Sequence, residues 1–285
     1  MGTLRKLLEK HGKRKAIVGL TAWDYPSGLL AQRAGGIDMV LVSDSLGKIV
    51  LGLPGSIGLS LDDMIHHAKA VARAVKTPFL LADLPMGSYE ISPEQALTSA
   101  IRMIKEAPGV SGVKLEGGKE IIPQVSKITS AGIPVFCQVG ITPQRTIQTA
   151  NDEEGTGRSE VSASEIFDDA LCLQNAGAVG IMLTAVSQEA AKLMRDHLTV
   201  PTIGIGSGKL CDGQMVFQSE ILGYQDPCVP QWHSQFESIG AKSLTAIRNY
   251  VKEVGEGEFP GDELTHHLFT GQNLDNLGLD GLVVD

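Results

Sequence analysis

Short runs of apolar residues recur along this chain. Between them, apolar positions return every three or four residues. The runs fall at 16–21, 39–44, 79–83, 112–116, 133–140, 179–184 and 201–206, with a weaker one at 214–218. A strand with one face in water alternates apolar and polar residues; a strand covered on both faces does not need to. The runs therefore predict parallel strands buried between helices. Helix starts lie between them. Ser60 precedes Leu61, Asp62 and Asp63, and its hydroxyl can cap free N–H groups. Ser92, Pro93, Glu94 and Gln95 join a cap, a proline at the first helical position and a glutamine able to close a capping box. Ser162 with Glu165 predicts another start, and Ser187 a further one before the helix through 190–197. Alternation of this kind predicts α/β architecture. Eight units without a clear break favour a closed (β/α)8 barrel over a doubly wound sheet. The reading is one domain, 1–285, with an N-terminal helix at about 1–13 and a weakly patterned tail at about 256–285. The polar stretch 151–159 (NDEEGTGRS) follows the fifth run and reads as a mobile loop.

Composition narrows the classes. The 285 residues include 33 glycines, which suits a design with many strand-to-helix turns. The net charge is −9, and no large basic cluster offers a nucleic-acid face. Lys10, Lys13, Arg14 and Lys15 read as a solvated helix end. None of Cys137, Cys172, Cys211 and Cys228 forms a C-x-x-C pair, so reduced thiols in a cytoplasmic protein are expected. No apolar run reaches the roughly 18 residues of a membrane span, and the N-terminus is not patterned as a secretory signal.

The chemistry collects at the ends of the runs. MVLVSD ends at Asp44, FLLAD at Asp83 and GVKLE at Glu116. In a parallel barrel these carboxylates share the C-terminal rim, where barrel enzymes carry activity. They would repel one another unless a cation joined them, and oxygen ligands suit Mg²⁺. Single carboxylates capping the following helices are the alternative. Lys114 lies two residues before Glu116 and so on the same strand face. It can clamp a substrate carboxylate, or simply pair with the acids. Ser45 can contact the same substrate carboxylate. The glycine-rich stretch 204–208 is either an anion cradle or a tight barrel turn. His66 and His67 sit mid-helix after Asp62 and Asp63, off the rim, and read as helix surface, as do His266 and His267 near the tail.

At these residues the chain resembles the ketopantoate hydroxymethyltransferase (3-methyl-2-oxobutanoate hydroxymethyltransferase) family of pantothenate biosynthesis. The resemblance rests on LVSDSLGKIVLG (41–52), LLADLPMGSY (80–89), VKLEGG (113–118), GITPQ (140–144) and IGIGSGKLCDGQ (203–214), and weakly on FPGDE (259–263). It implies a barrel of the phosphoenolpyruvate mutase and isocitrate lyase type, assembled as a homo-oligomer (a decamer in the family). It implies a Mg²⁺ ion that holds a 2-oxo acid, loss of a proton from C3, and addition of a one-carbon unit from 5,10-methylenetetrahydrofolate. Asp44, Asp83 and Glu116 match the metal positions. Ser45 and Lys114 match the substrate-carboxylate contacts, with Asp83 and Gln138 also facing substrate. The chain departs from the family at Gln138, where a histidine is usual, and at Thr184, where the family carries its glutamate base. It differs also at 53–59 (LPGSIGL) and in the loop NDEEGTG. Binding residues are kept and the proton-moving residue is not, because a threonine hydroxyl is no general base near neutral pH. Three readings follow: a hydroxymethyltransferase with another base, such as Glu153, Glu154 or a metal-bound hydroxide; a C–C lyase or aldolase on another 2-oxo acid; or a catalytically silent ligand-binding homologue.

Overall fold

The structure is a computed structural model; it describes residues 4–145, 156–224 and 235–267. Its strands are β1 (Ile17–Thr21), β2 (Met39–Val42), β3 (Phe79–Asp83), β4 (Gly112–Glu116), β5 (Val135–Gly140), β6 (Gly180–Thr184), β7 (Thr202–Ile205) and β8 (Gly213–Val216). Every neighbouring pair is parallel, and β8 closes on β1, so the sheet is a closed barrel in chain order. The helices are α1 (Leu4–Gly12), α2 (Tyr25–Ala34), α3 (Leu46–Ile49), α4 (Leu61–Ala74), α5 (Pro93–Glu106), α6 (Ile122–Ser130), α7 (Glu160–Asn175), α8 (Gln188–His197), α9 (Gln218–Ile221) and α10 (Ile239–Glu256). The continuous apolar runs are explained by two separate cores. One fills the barrel and includes Met39, Leu81, Phe136 and Met182, with Leu7 of α1 joining it from the end where the strands begin. The other lies between strands and helices and holds the alternate residues, among them Val40, Leu80, Cys137 and Leu183. Inside the barrel small residues make room for large ones. A Cβ on Gly180 would come within 2.3 Å of the Phe136 ring, so the Phe136 ring occupies the space that glycine leaves.

The helix starts obey local chemistry. Ser60 accepts from the Asp63 N–H at 3.1 Å while Asp63 accepts from the Ser60 N–H at 3.0 Å, a closed capping box. Ser92 accepts from the Gln95 N–H at 3.1 Å. Gln95 answers one residue earlier than a capping box requires, at the Ile91 N–H, 2.9 Å away. Ser187 caps α8. The expected start at Ser162 is corrected: the cap of α7 is Ser159, and Ser162 is the residue that closes its box. The Ser162 hydroxyl accepts from the Ser159 N–H at 3.2 Å, the place a Glu or Gln side chain takes in the usual box.

Contacts divide the chain into two compact units, Met1–Glu237 and Ser238–Asp285. In the second, α10 buries none of its residues and stops at Gly257, whose φ of 73° is the left-handed cap glycine tolerates. The Tyr250 and Phe259 rings meet edge-on at 5.2 Å. Among the described residues no helix is long and apolar enough to cross a membrane. Glu153, Glu154, Cys228, most of the polar loop after β5 and the end of the tail lie outside the described residues. At Thr156 the chain is stitched to the end of β6: Thr156 N–H donates to the Ala185 carbonyl at 2.9 Å and Ser187 N–H to the Thr156 carbonyl at 3.0 Å.

Candidate functional site

Strand register places the rim residues side by side. Asp83 pairs with Lys114, Glu116 with Gln138, Gly140 with Thr184 and Thr184 with Ile205. Asp83, Lys114, Glu116, Gln138 and Thr184 share the strand parity of Leu81, Phe136 and Met182, which fill the barrel. They therefore point into its mouth. Asp44 follows β2 at the same end. The mouth is polar over β2–β5, while β6 contributes Met182 below Thr184 and β7 contributes Ile205 beside it.

Lys114 is the centre of the polar half. Its Nζ lies 3.0 Å from Asp83 Oδ1 and 3.1 Å from Glu116 Oε1, with all three side chains buried. Asp83 Oδ2 accepts from the Asp44 N–H at 3.0 Å. Glu116 Oε2 accepts from the Gln144 N–H at 3.1 Å, and Asp44 Oδ2 accepts from Gln144 Nε2 at 2.9 Å. Burial pushes Asp83 up to about 6, against the pull of Lys114 and with the push of Asp44. Burial likewise pushes Glu116 up to about 7. Burial also works against the Lys114 ammonium, but Asp83, Glu116 and Asp44 together outweigh it and hold its pKa above the ordinary lysine value.

Among the described residues, no three His, Cys, Asp or Glu side chains are gathered closely enough to hold a metal ion as they stand. Lys114 accounts for this, since its ammonium stands between Asp83 and Glu116. The donor set still fits a divalent cation in two respects. Three buried carboxylates face one ammonium, which leaves an excess of two negative charges when all are ionised. Burying that excess in low dielectric is costly without further positive charge. In addition, among the described residues Asp83 Oδ1 is buried without a hydrogen bond and has only the Lys114 ion pair, and Asp44 Oδ1 has neither.

The other expected residues are placed as follows. Ser45 precedes α3, half-buried, and its hydroxyl makes no capping bond. Gln138 is buried beside Glu116, and its Nε2 donates to the Ile141 carbonyl at 2.8 Å, which fixes the turn after β5. Thr184 Oγ1 is buried with no hydrogen-bond partner among the described residues. The next residue, Ala185, holds a positive φ of 51°. The stretch 204–208 is a tight turn. Ser207 is buried within it, donates to the Leu183 carbonyl at 2.6 Å and accepts from the Val186 N–H at 2.9 Å, tying β7 to β6. His67 sets its Nδ1 against the Trp23 carbonyl and meets His66 edge-on, so this pair serves packing. Two site residues had no role in the sequence reading: Tyr89 and Gln144. Both close rim motifs, LLADLPMGSY and GITPQ. A bulky phenol and an amide at motif ends beside the rim were the signal available.

Known proteins bear on this arrangement. A family profile described as Ketopantoate hydroxymethyltransferase matches residues 2–262. A 3-methyl-2-oxobutanoate hydroxymethyltransferase of Emericella nidulans is 43% identical over 270 residues, 94% of this chain and 76% of the relative. One of Thermoanaerobacter sp. is 42% identical over 274 residues, 96% of this chain and 97% of the relative. Among solved structures, a phosphonopyruvate hydrolase in complex with oxalate and Mg²⁺ superposes with TM-score 0.61 at 14% identity, covering 93% of this chain and 92% of that one. 2,3-Dimethylmalate lyase, of the PEP mutase/isocitrate lyase superfamily, superposes with TM-score 0.58 at 16% identity, covering 98% and 96%. The solved structures establish the barrel type, and the sequence matches establish that this chain belongs to the ketopantoate hydroxymethyltransferase family, a family of enzymes.

Proposed function

We propose that this chain performs Mg²⁺-dependent carbon–carbon bond chemistry at C3 of a small 2-oxo acid. The first candidate is 3-methyl-2-oxobutanoate, with the one-carbon unit drawn from 5,10-methylenetetrahydrofolate. The observation that carries the reading is the buried excess of carboxylate around Lys114 at the barrel mouth. Asp44 and Asp83 would hold the cation directly, and Glu116 directly or through a water; Lys114 engages one oxygen each of Asp83 and Glu116. When bound, the cation supplies Lewis-acid polarisation of the 2-oxo group and so acidifies C3–H. The rest falls to this chain's own side chains. The Ser45 hydroxyl and the Lys114 ammonium receive the substrate carboxylate. The apolar half, with Met182 and Ile205, takes a short branched alkyl end and keeps water from it. Thr184 stands on the β6 side of the mouth, in the family's base position, and its hydroxyl can pass a proton or hold a polar group but cannot abstract one unaided. The protein works as a homo-oligomer in the cytoplasm on this reading.

One observation favours a second reading, a lyase or aldolase on a different 2-oxo acid. The unpartnered Thr184 hydroxyl and the Gln138 amide make this end of the mouth neutral where the family resemblance implies titratable groups. Calorimetry with Mg²⁺ and 3-methyl-2-oxobutanoate tests the first reading. Binding should require both components and should vanish in Asp83→Ala. Unchanged binding in that variant sinks the metal assignment. Metal binding without any response to this acid moves the choice to the second reading.

A further inference from the structure

The turn after β5 carries a side chain that the chemistry above does not use. Gln144 lies in the 3-10 turn Pro143–Arg145 and is 1% exposed. Every polar group of its amide is engaged. Nε2 donates to Asp44 Oδ2 at 2.9 Å and to the Leu84 carbonyl at 3.0 Å, while Oε1 accepts from the Tyr89 hydroxyl at 2.6 Å. Its backbone N–H donates to Glu116 Oε2 at 3.1 Å. The Tyr89 hydroxyl has one proton and two acceptors in reach, Gln144 Oε1 at 2.6 Å and the Glu116 carbonyl at 3.2 Å. The shorter bond takes the proton, and the hydroxyl in turn accepts from the Glu116 N–H at 3.3 Å. That assignment fixes the amide: with its oxygen toward Tyr89, its NH₂ must face Asp44 and Leu84.

We propose that Gln144 is a positioning residue that sets the orientation of the Asp44 carboxylate, and that Tyr89 sets the orientation of Gln144. The inference rests on the proposed function for what Asp44 receives, but the brace itself does not. A residue 100 positions away in the chain consumes Asp44 Oδ2, which leaves Asp44 Oδ1 as the oxygen presented to a cation. Without the Gln144 side-chain NH₂, the nearest compensation for a buried Asp44 is the Lys114 ammonium, whose field Asp44 already shares. The carboxylate then turns toward Lys114 and away from the cation. The same residue's backbone N–H holds Glu116, so one turn fixes the acidic tips of two non-adjacent strands, β2 and β4.

Two variants test this. Gln144→Met keeps the length and removes every side-chain hydrogen bond. Tyr89→Phe removes only the hydroxyl and so is the milder change if the first folds poorly. Mg²⁺ affinity in the presence of 3-methyl-2-oxobutanoate, read by calorimetry, should fall about 10- to 100-fold, the usual cost of losing a partner that orients a metal ligand. Exchange kinetics at C3 should show a raised half-saturating Mg²⁺ with a smaller change in the rate at saturating metal. Affinity equal to wild type in folded Tyr89→Phe and Gln144→Met overturns the proposal, even if both melt earlier, since that pattern is purely structural. A wild type that binds neither metal nor acid refutes the proposed function instead. The brace is then judged by a metal-free crystal structure of Gln144→Met, in which Asp44 should turn toward Lys114; an unmoved Asp44 carboxylate overturns it.

Discussion

At the scale of single residues, Lys114 and Thr184 divide the site between structure and chemistry. If Lys114 served only as a substrate clamp, Lys114→Ala would weaken acid binding more than folding. Its burial between Asp83 and Glu116 argues otherwise. Removing one partner of a buried ion pair strands the other, at a cost of about 3–5 kcal/mol. We expect that loss for metal-free Lys114→Ala in urea unfolding at pH 8, and a smaller loss at pH 5, where the stranded carboxylates protonate. A loss under about 1 kcal/mol at pH 8 would show that the ammonium contributes little to the fold. Thr184 has the opposite character. Among the described residues its hydroxyl has no partner to lose, so substitution tests chemistry. General-base assistance is typically worth about 10²–10⁴-fold, and Thr184→Glu should raise C3 deuterium uptake by 3-methyl-2-oxobutanoate in D₂O, followed by proton NMR. Fast exchange in the wild type that the change does not improve would mean another group is the base. No exchange in either protein would favour another substrate.

At the scale of elements, legibility followed the physics of each signal. Strands buried on both faces write themselves as continuous apolar runs, and all eight fall within two residues of their runs at either end. Asp83 and Glu116 were legible because each ends such a run. The partners of these acids were not legible. Gln144 reaches Asp44 across 100 residues and Tyr89 reaches Gln144 across 55, and a bond between distant loops leaves no periodic trace. The start of α7 was missed for a local reason, since both Ser159 and Ser162 satisfy the cap chemistry. The glycine stretch after β7 fits a cradle or a turn in sequence, and Ser207, which spans two backbone groups of the β6 end, makes it a turn. That bridge gives a prediction at this scale. Ser207→Ala leaves the Val186 N–H unsatisfied and buried and takes a second hydrogen bond from the Leu183 carbonyl, at a cost of about 1–3 kcal/mol. Because the bridged segment carries Thr184 and Ala185, the variant should also speed amide exchange at Val186. Stability equal to wild type would mean that water replaces the hydroxyl there.

At the scale of the whole molecule, the barrel encloses an electrostatic cost that pH and metal should both control. Asp83 and Glu116 sit at about 6 and about 7 in the folded protein because burial disfavours their charged forms. In the unfolded chain the same groups titrate near the ordinary carboxylate range of about 4. Below that range both states hold the protons, and the contribution of these groups to stability is fully present. As pH rises, the unfolded chain releases its protons first. The folded protein then binds more protons than the unfolded one, and stability falls with rising pH until the folded groups have also ionised. The metal-free protein should therefore lose stability between about pH 4 and pH 7 from these two sites. Other groups titrate in the same window, so the informative comparison is with Glu116→Gln, which mimics the protonated acid. The gap in melting temperature between the variant and the wild type should move in favour of the variant as pH rises from 5 to 8 in the presence of a chelator. A divalent cation that binds only the folded, ionised site stabilises it by mass action. Added Mg²⁺ should accordingly raise the wild-type melting temperature more at pH 8 than at pH 5, and less in the variant. A gap that stays constant with pH would mean that Lys114 alone neutralises Glu116 in the folded protein. A Mg²⁺ effect independent of pH would place the cation away from these carboxylates.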